Sequence, residues 1–142
     1  MIYKSVTQNQ SVSPVEIVRA YYDALIEGDV SKLKNLMTLK SYYMALHAFG
    51  LRLSFKDAIF KRQLAKIEES VVALTNVEER LHRENSVKVN AYSIIIQHVR
   101  ENGTNRRIVE YTENGKVKEF YFSKESEGWR INYYAGREIS YT

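Results

Sequence analysis

Residues 105–131 read NRRIVEYTENGKVKEFYFSKESEGWRI, and this stretch decides the fold. From residue 86 onward the apolar residues follow a period of two, as in Val87, Val89 and Ala91, and this period is typical of half-buried strands. Asn114-Gly115 interrupts the alternation, and both residue types tolerate the positive φ of a tight hairpin. Asn102-Gly103 and Glu127-Gly128 mark two further turns. We therefore predict strands over 87–100, 105–112, 116–123 and 129–136, joined in chain order into an antiparallel sheet.

The residues before the sheet predict helices. Ser13 can cap a helix that Pro14 begins and whose capping box Glu16 closes, and Gly28 ends it. Asp29 then caps a short second helix with a buried stripe. Apolar residues at helical spacing form the inner face of the first helix, and they are Val15, Val18, Tyr22 and Leu25.

Residues 39–84 are harder to interpret. A helix over 41–49 would end at Gly50, and Ser54 would cap the next one. The apolar spacing through Val71, Leu74 and Leu81 would suit a short coiled-coil seam, but Val71-Val72 and residues 75–77 favour strand and turn. We therefore predict a helix end near Ser70 and a strand over 77–84.

Helices followed by a meander predict an α+β domain with helices packed on one face of a curved sheet. This layout resembles the nuclear transport factor 2-like superfamily, also called SnoaL-like or cystatin-like. The resemblance rests on the first helix with its Gly28-Asp29 ending and on the closing segment Lys124–Ile131, which contains Gly128-Trp129-Arg130. It spans roughly residues 13–136.

The resemblance implies a cone-shaped, curved antiparallel sheet with the N-terminal helices on its concave face and a pocket at the wide end. We predict a single domain of this kind over residues 13–142, preceded by a flexible lead-in over 1–12. Proteins of this superfamily include isomerases, dehydratases, polyketide cyclases and transport factors, so the fold does not select a function.

Composition excludes several function classes. The 142 residues contain no cysteine, which removes disulfides, thiolate metal sites and cysteine nucleophiles. The net charge of +4 is shared evenly between residues 1–86 and 87–142, and only Arg106-Arg107 beside Arg100 forms a tight cluster, so we expect no nucleic-acid partner. No apolar run is long enough for a membrane span. We expect a cytoplasmic protein, with a removed leader left open.

Catalytic residues are hard to find. Isomerases of this superfamily use a strand-borne aspartate, whereas the three aspartates here, Asp23, Asp29 and Asp57, lie in the helical part. Glu110 and Glu119 lie on strands, where alternating charges usually face water. The three histidines show no metal-ligand spacing, so we expect no metal and no cofactor. A change of faces near Ser93 would place Ile94, Ile96 and His98 on one side, with His98 at the rim of the cone.

Tyrosine is unusually frequent, with 11 residues, several of them in adjacent pairs. In the C-terminal strands the pairs place aromatic rings on both faces, with Tyr133 on the packed face and Tyr134 on the other. An aromatic outer face suggests a homodimer through the sheet, and an aromatic inner face suggests a pocket. Ordinary strand-forming tyrosines on a half-exposed surface are the third explanation.

Two functions follow. The first is a module that binds a small molecule or a protein without catalysis, with ligand contacts at Tyr22, His47, Tyr92, His98 and Tyr134. The alternative is a small-molecule isomerase, dehydratase or cyclase that uses His98 as base and Tyr22 or Tyr92 as hydroxyl donor. A shared enclosed pocket for His98 and a tyrosine hydroxyl would favour the enzyme.

Overall fold

The computed structural model describes residues 12–84 and 93–135, and it has the α+β layout that the sequence predicts. The helices are α1 (Pro14–Glu27), α2 (Leu39–Lys56), α3 (Ala58–Leu64) and α4 (Val71–Arg83), with a 3-10 helix over Val30–Asn35. The strands are β1 (Ile94–Glu101), β2 (Arg106–Glu113), β3 (Lys116–Glu125) and β4 (Gly128–Ile131). They form one open antiparallel sheet in chain order. The predictions for residues 1–11, 85–92 and 136–142 lie outside the described residues.

The first helix begins and ends as its sequence predicts. The Ser13 hydroxyl accepts a hydrogen bond from the Glu16 amide, and the Glu16 carboxylate accepts one from the Ser13 amide. Gly28 ends the helix with a φ of 74°, a left-handed conformation that glycine adopts without strain. Asp29 lies at the cap position of the 3-10 helix, but its side chain accepts a hydrogen bond from the Ser31 hydroxyl instead of capping the backbone.

The segment 39–56 is one continuous helix, so the predicted helix end at Gly50 is wrong. Gly50 is buried inside α2, and a side chain there would approach Phe60 to 3.0 Å. The glycine therefore allows α3 to pack closely against α2. The break between the two helices falls at Asp57, whose carboxylate accepts hydrogen bonds from the amides of Ile59 and Phe60. The predicted helix start at Ser54 is likewise replaced by this cap.

The predicted strand over 77–84 is also wrong, because these residues belong to α4. Ser70 caps the helix by accepting a hydrogen bond from the Ala73 amide. Ala73, Val77 and Leu81 follow at intervals of four and are all buried. Their common face outweighs the strand preference of the valines and Thr75, since burial of an amphipathic face contributes more to helix stability than propensity does.

The core lies between the helices and the inner face of the sheet. Phe122, Ile131 and Val109 from the strands are fully buried there, together with Tyr42 and Leu46 from α2. The chain between the 3-10 helix and α2 joins the edge of the sheet, because the Ile131 amide donates to the Leu36 carbonyl and the Thr38 amide donates to the Ile131 carbonyl. The helices and the sheet thus form one packed body, with α1 in contact with β1, β2 and β4.

Candidate functional site

A cleft opens where α1 crosses the hairpin end of β2 and β3. Its volume is about 420 Å³, and it is open on one side. Residues from α1 (Tyr21, Tyr22, Leu25) and from the sheet (Tyr111, Glu113, Lys118, Glu119, Phe120) line it. The cleft therefore combines aromatic rings with a small group of hydroxyl and charged side chains, a composition typical of small-molecule sites.

The polar end of the cleft is a chain of hydrogen bonds. The Tyr22 hydroxyl lies 2.6 Å from the Tyr111 hydroxyl and donates to the Glu113 carboxylate at 2.7 Å. An ionised carboxylate has no proton to donate, so the single Tyr22 proton goes to Glu113 and Tyr111 donates to Tyr22. The Lys118 ammonium reaches the same Glu113 oxygen at 3.3 Å.

Burial and these hydrogen bonds determine the pKa values of Tyr22, Tyr111 and Glu113. Burial, followed by the hydrogen bonds to Tyr111 and Glu113, raises the pKa of Tyr22 far above its usual value. Burial also raises the pKa of Tyr111 to about 12. The hydroxyl of Tyr22 lowers the pKa of the Glu113 carboxyl, and Lys118 lowers it further. Both tyrosines are therefore neutral and Glu113 is ionised at neutral pH.

The aromatic wall continues from the cleft into the core. The Phe120 ring meets the edge of Tyr21 at 4.9 Å between centroids and stacks on Tyr111 at 5.6 Å. Tyr133 stacks on the other side of Phe120 at 6.3 Å. Burial raises the pKa of Tyr133, and its contact with Tyr21 adds to the shift. The rings contact one another in stacked and edge-to-face arrangements, which are the favourable geometries for aromatic pairs.

A second, smaller cleft lies between the 3-10 helix and α4, with a volume of about 260 Å³. Glu78 and His82 from α4 and Asp29 line it. The buried Tyr42 hydroxyl donates to Glu78, and the Lys34 ammonium lies 3.3 Å from the same carboxylate. Within residues 12–84 and 93–135, no cluster of histidine and acidic side chains could hold a metal ion.

The structure separates the residues predicted from the sequence. Tyr22 lines the main cleft, whereas His47 is exposed on α2 and His98 is exposed on β1. Tyr134 is half-buried beside α2, with the Lys40 ammonium 4.4 Å from its ring centroid. Tyr92 lies outside the described residues. Among the residues named for ligand contact, Tyr22 alone is seen in the cleft, and the others in view do not converge on it.

The expectation that Ile94, Ile96 and His98 share a face is wrong. The register of β1 against β2 shifts between Ile96 and His98, so a bulge lies at Gln97. Ile96 pairs with the inward-facing Tyr111, but His98 pairs with Glu110 on the outer face. His98 and the Tyr22 hydroxyl therefore lie on opposite sides of the sheet, and the geometry needed for a His98–Tyr22 catalytic pair is not met.

Sequence reasoning missed Tyr111, Glu113 and Lys118. The signal was present, because Val109, Tyr111 and Glu113 alternate and must share a face. Glu110 and Glu119, the strand carboxylates considered first, both bind Arg100 on the outer face, at 3.1 and 2.9 Å. The carboxylate that bonds to the tyrosine pair is Glu113, the next acidic residue after Glu110 along β2.

The arginine cluster is engaged within the protein. Arg100 holds two glutamates, Arg107 reaches Glu101 at 3.4 Å, and Arg106 donates to the Ala135 carbonyl. The Arg107 guanidinium also lies over the Trp129 ring at 5.0 Å. These contacts favour the interpretation of the cluster as part of the sheet surface over a phosphate site.

Comparison with known proteins gives no relative from which a function could be transferred. No protein-family model, no curated protein and no solved structure matches the chain at a significant level. The nuclear transport factor 2-like resemblance therefore stays a prediction. In the part of the chain that the structure describes, no helix has the length and apolar character needed to cross a membrane.

Proposed function

We propose that this chain is a ligand-binding module whose main cleft holds a small molecule. The observation that carries the proposal is the buried Tyr111–Tyr22–Glu113 chain at one end of an otherwise aromatic cleft. Buried polar groups are costly, and placing them beside an opening is a recurrent feature of binding sites. Phe120 and Tyr21 supply a flat apolar surface next to them.

The direction of the hydrogen bonds defines the ligand class. The hydroxyl protons of Tyr22 and Tyr111 are both used in the hydrogen bonds of this site. The polar end therefore offers oxygen lone pairs and a carboxylate to the cleft. A ligand with a planar apolar body and a hydrogen-bond donor, such as a hydroxyl or an amine, would satisfy both parts. Two carboxylates, Glu113 and Glu119, line the cleft against the single Lys118 ammonium, so a carboxylate ligand would be repelled.

A matched set of naphthalene probes tests this class. We expect 2-naphthol and 1-naphthylmethylamine to bind more tightly than naphthalene or 2-naphthoate in ligand-observed NMR. Glu113→Gln should weaken binding of the amine by roughly ten-fold, the range expected for a hydrogen bond to a charged group. Glu110→Gln, on the outer face, is the control and should leave binding unchanged. Failure of all the probes to bind would overturn the proposal.

The nuclear transport factor 2-like cone belongs to the same proposal. Its support is the antiparallel meander with the helices against one face, and the position of α1 across three strands. The bulge at Gln97 adds local bending and twist to β1, which is how curved sheets acquire their shape.

The third part of the proposal is a homodimer that forms through the outer face of the sheet. Ile95, Thr112 and Val117 face one another across three strands in a single row. Ile95 is 55% exposed and Val117 is 76% exposed, so two branched apolar side chains face solvent on the outer face near the β2–β3 turn. The row is an apolar strip that a second copy would cover.

Sedimentation velocity measures the dimer directly. We expect a dimer at micromolar concentration for the unmodified chain and a monomer for Val117→Lys, because the lysine would bury a charge in the interface. Val72→Lys, at a valine that is 69% exposed on α4, gives a matched control that should stay dimeric. A monomeric mass for the unmodified chain would rule the interface out, without bearing on the ligand cleft.

A further inference from the structure

The helical corner formed by α2 and α3 carries a concentration of positive charge. Residues 39–67 contain six basic side chains and one acidic side chain, against a net charge of +4 for the whole chain. All six are exposed, and within residues 12–84 and 93–135 none of them forms an ion pair. They are Lys40, Arg52, Lys56, Lys61, Arg62 and Lys66.

The one acidic residue of the segment is already neutralised. Asp57 accepts hydrogen bonds from the amides of Ile59 and Phe60 at the start of α3, and the Arg80 guanidinium binds its second oxygen at 3.0 Å. The carboxylate therefore does not offset the lysines and arginines around it. Six basic side chains against one neutralised carboxylate leave this corner with a net positive charge.

Exposed apolar side chains lie among these charges. Leu51 and Phe55 are one helical turn apart on α2, and Ile59 follows just after the break at Asp57. They are 55%, 81% and 63% exposed, respectively. Ala48 continues the same stripe toward the start of the helix. We call the three apolar residues together with Arg52, Lys56, Lys61 and Arg62 the basic apolar patch.

We propose that the basic apolar patch docks on an anionic lipid surface. Large apolar side chains that insert at the level of the headgroups, ringed by lysine and arginine, are the combination by which interfacial helices bind anionic membranes. Phe55 lies in the last turn of α2, next to the break at Asp57, and its side chain is largely exposed. An exposed aromatic side chain at a helix end suits a deformable flat partner.

Charge and shape disfavour the other occupants. A second copy would bring one strongly positive corner against another, which opposes association. An acidic partner helix would match the charge. Such helices usually bind in apolar grooves, whereas the basic apolar patch is a set of exposed side chains at a break between two helices. The sheet row proposed for the homodimer is formed by β1, β2 and β3, separate from this patch, so the two surfaces can be tested independently.

Vesicle flotation with the full chain tests the proposal. We expect binding to vesicles that contain phosphatidylglycerol, no binding to pure phosphatidylcholine, and release at high salt. The double variant Leu51→Ser and Phe55→Ser should lower the partition coefficient roughly ten-fold or more, since apolar burial drives insertion. Ile26→Ser removes an exposed apolar side chain from α1, outside both the patch and the sheet row, and should not change the partition coefficient.

The charges have their own matched pair of variants. Lys61→Glu with Arg62→Glu should reduce binding roughly ten-fold or more. Arg19→Glu with Arg83→Glu changes the net charge equally on exposed sites of other helices and should have a much smaller effect. Phe55→Trp provides a direct signal, because its emission should shift to the blue on vesicle binding, whereas that of the native Trp129 should not.

Three outcomes would overturn the proposal. The first is no binding to anionic vesicles at low salt, or binding that the patch variants do not weaken. The second is a change of oligomeric mass with Phe55→Ser, which would identify a second copy as the occupant. The third is that the protein binds an acidic amphipathic peptide but does not bind anionic vesicles. Unchanged circular dichroism of each variant shows that the fold is intact.

Discussion

Above pH 10 the protein is expected to lose its stability steeply and to unfold within about one to three pH units. Four tyrosines carry the effect, since burial raises the pKa of Tyr22, Tyr42, Tyr111 and Tyr133 above the usual value of 10.0. Each stays protonated in the folded chain at a pH where the unfolded chain has ionised it. Unfolding then releases protons, so the free energy of unfolding falls as the pH rises.

The magnitude is large because the four contributions add. Each group removes about 1.4 kcal/mol of stability for each pH unit above its unfolded pKa, as long as it remains protonated in the folded state. Four groups together remove about 5 kcal/mol per pH unit. A domain of this size has a net stability of about 5–15 kcal/mol, so the loss becomes complete between about pH 11 and about pH 13. Below pH 10 these groups contribute their full stability and no slope.

Tyrosinate absorbance and far-ultraviolet circular dichroism, followed in one alkaline titration, measure the effect. Tyrosines outside the core should ionise first. The four tyrosines with a raised pKa should ionise only as the helical circular dichroism signal disappears. Tyr42→Phe should reduce the steepness by about a quarter, since one of four protons is no longer released. Complete ionisation of the tyrosines while the circular dichroism stays native would contradict this expectation.

The parts of the fold fixed by local rules were predictable. The Ser13–Glu16 capping box, the left-handed Gly28 and the Asn114-Gly115 turn each depend on a few neighbouring residues, and each has the predicted conformation. The residues that mislead are those whose role depends on a distant contact. Gly50 resembles a helix end in the sequence, but its absent side chain makes room for Phe60. No local rule distinguishes these two uses of glycine.

The same distinction holds for the candidate site. The apolar stripe of α1 predicts that Tyr22 points inward, and it does. That its hydroxyl meets Tyr111 and Glu113 depends on how α1 crosses the sheet, and residues 89 and 91 positions away in sequence cannot be paired from spacing. One extra residue at Gln97 moves His98 to the outer face, because a shift of one position reverses every side chain beyond it.

The charge analysis failed for a related reason. The two parts of the chain carry equal net charge, which hides the concentration over residues 39–67. A window of about one helix pair is the scale at which a surface forms, so the count must be taken over segments of that length. Only the structure shows that Leu51 and Phe55 are exposed beside these charges. Their helical spacing in the sequence is equally typical of a buried helix face.

Replacing Tyr22 should cost more stability than replacing its partner Tyr111, although both changes remove one hydroxyl. In Tyr22→Phe the Tyr111 hydroxyl loses the acceptor it has among the described residues, and Glu113 keeps only the longer contact with Lys118. We expect a loss of about 2–3 kcal/mol, since a buried donor is left unpaired. In Tyr111→Phe the Tyr22 proton keeps its bond to Glu113, so the expected loss is about 0.5–1.5 kcal/mol.

Denaturant unfolding of the two single variants and the double variant measures this difference and the coupling between the hydroxyls. Leu25→Ile, a change of shape in the same cleft without a polar group, controls for repacking. Equal losses for both single variants would show that the chain of protons does not run from Tyr111 through Tyr22 to Glu113.

Stability at low pH gives an independent check. Tyr22 lowers the pKa of Glu113, so that carboxylate contributes stability that is lost as the pH falls through its folded pKa. Tyr22→Phe should raise that pKa and make the loss at low pH smaller, whereas Tyr111→Phe should leave it in place.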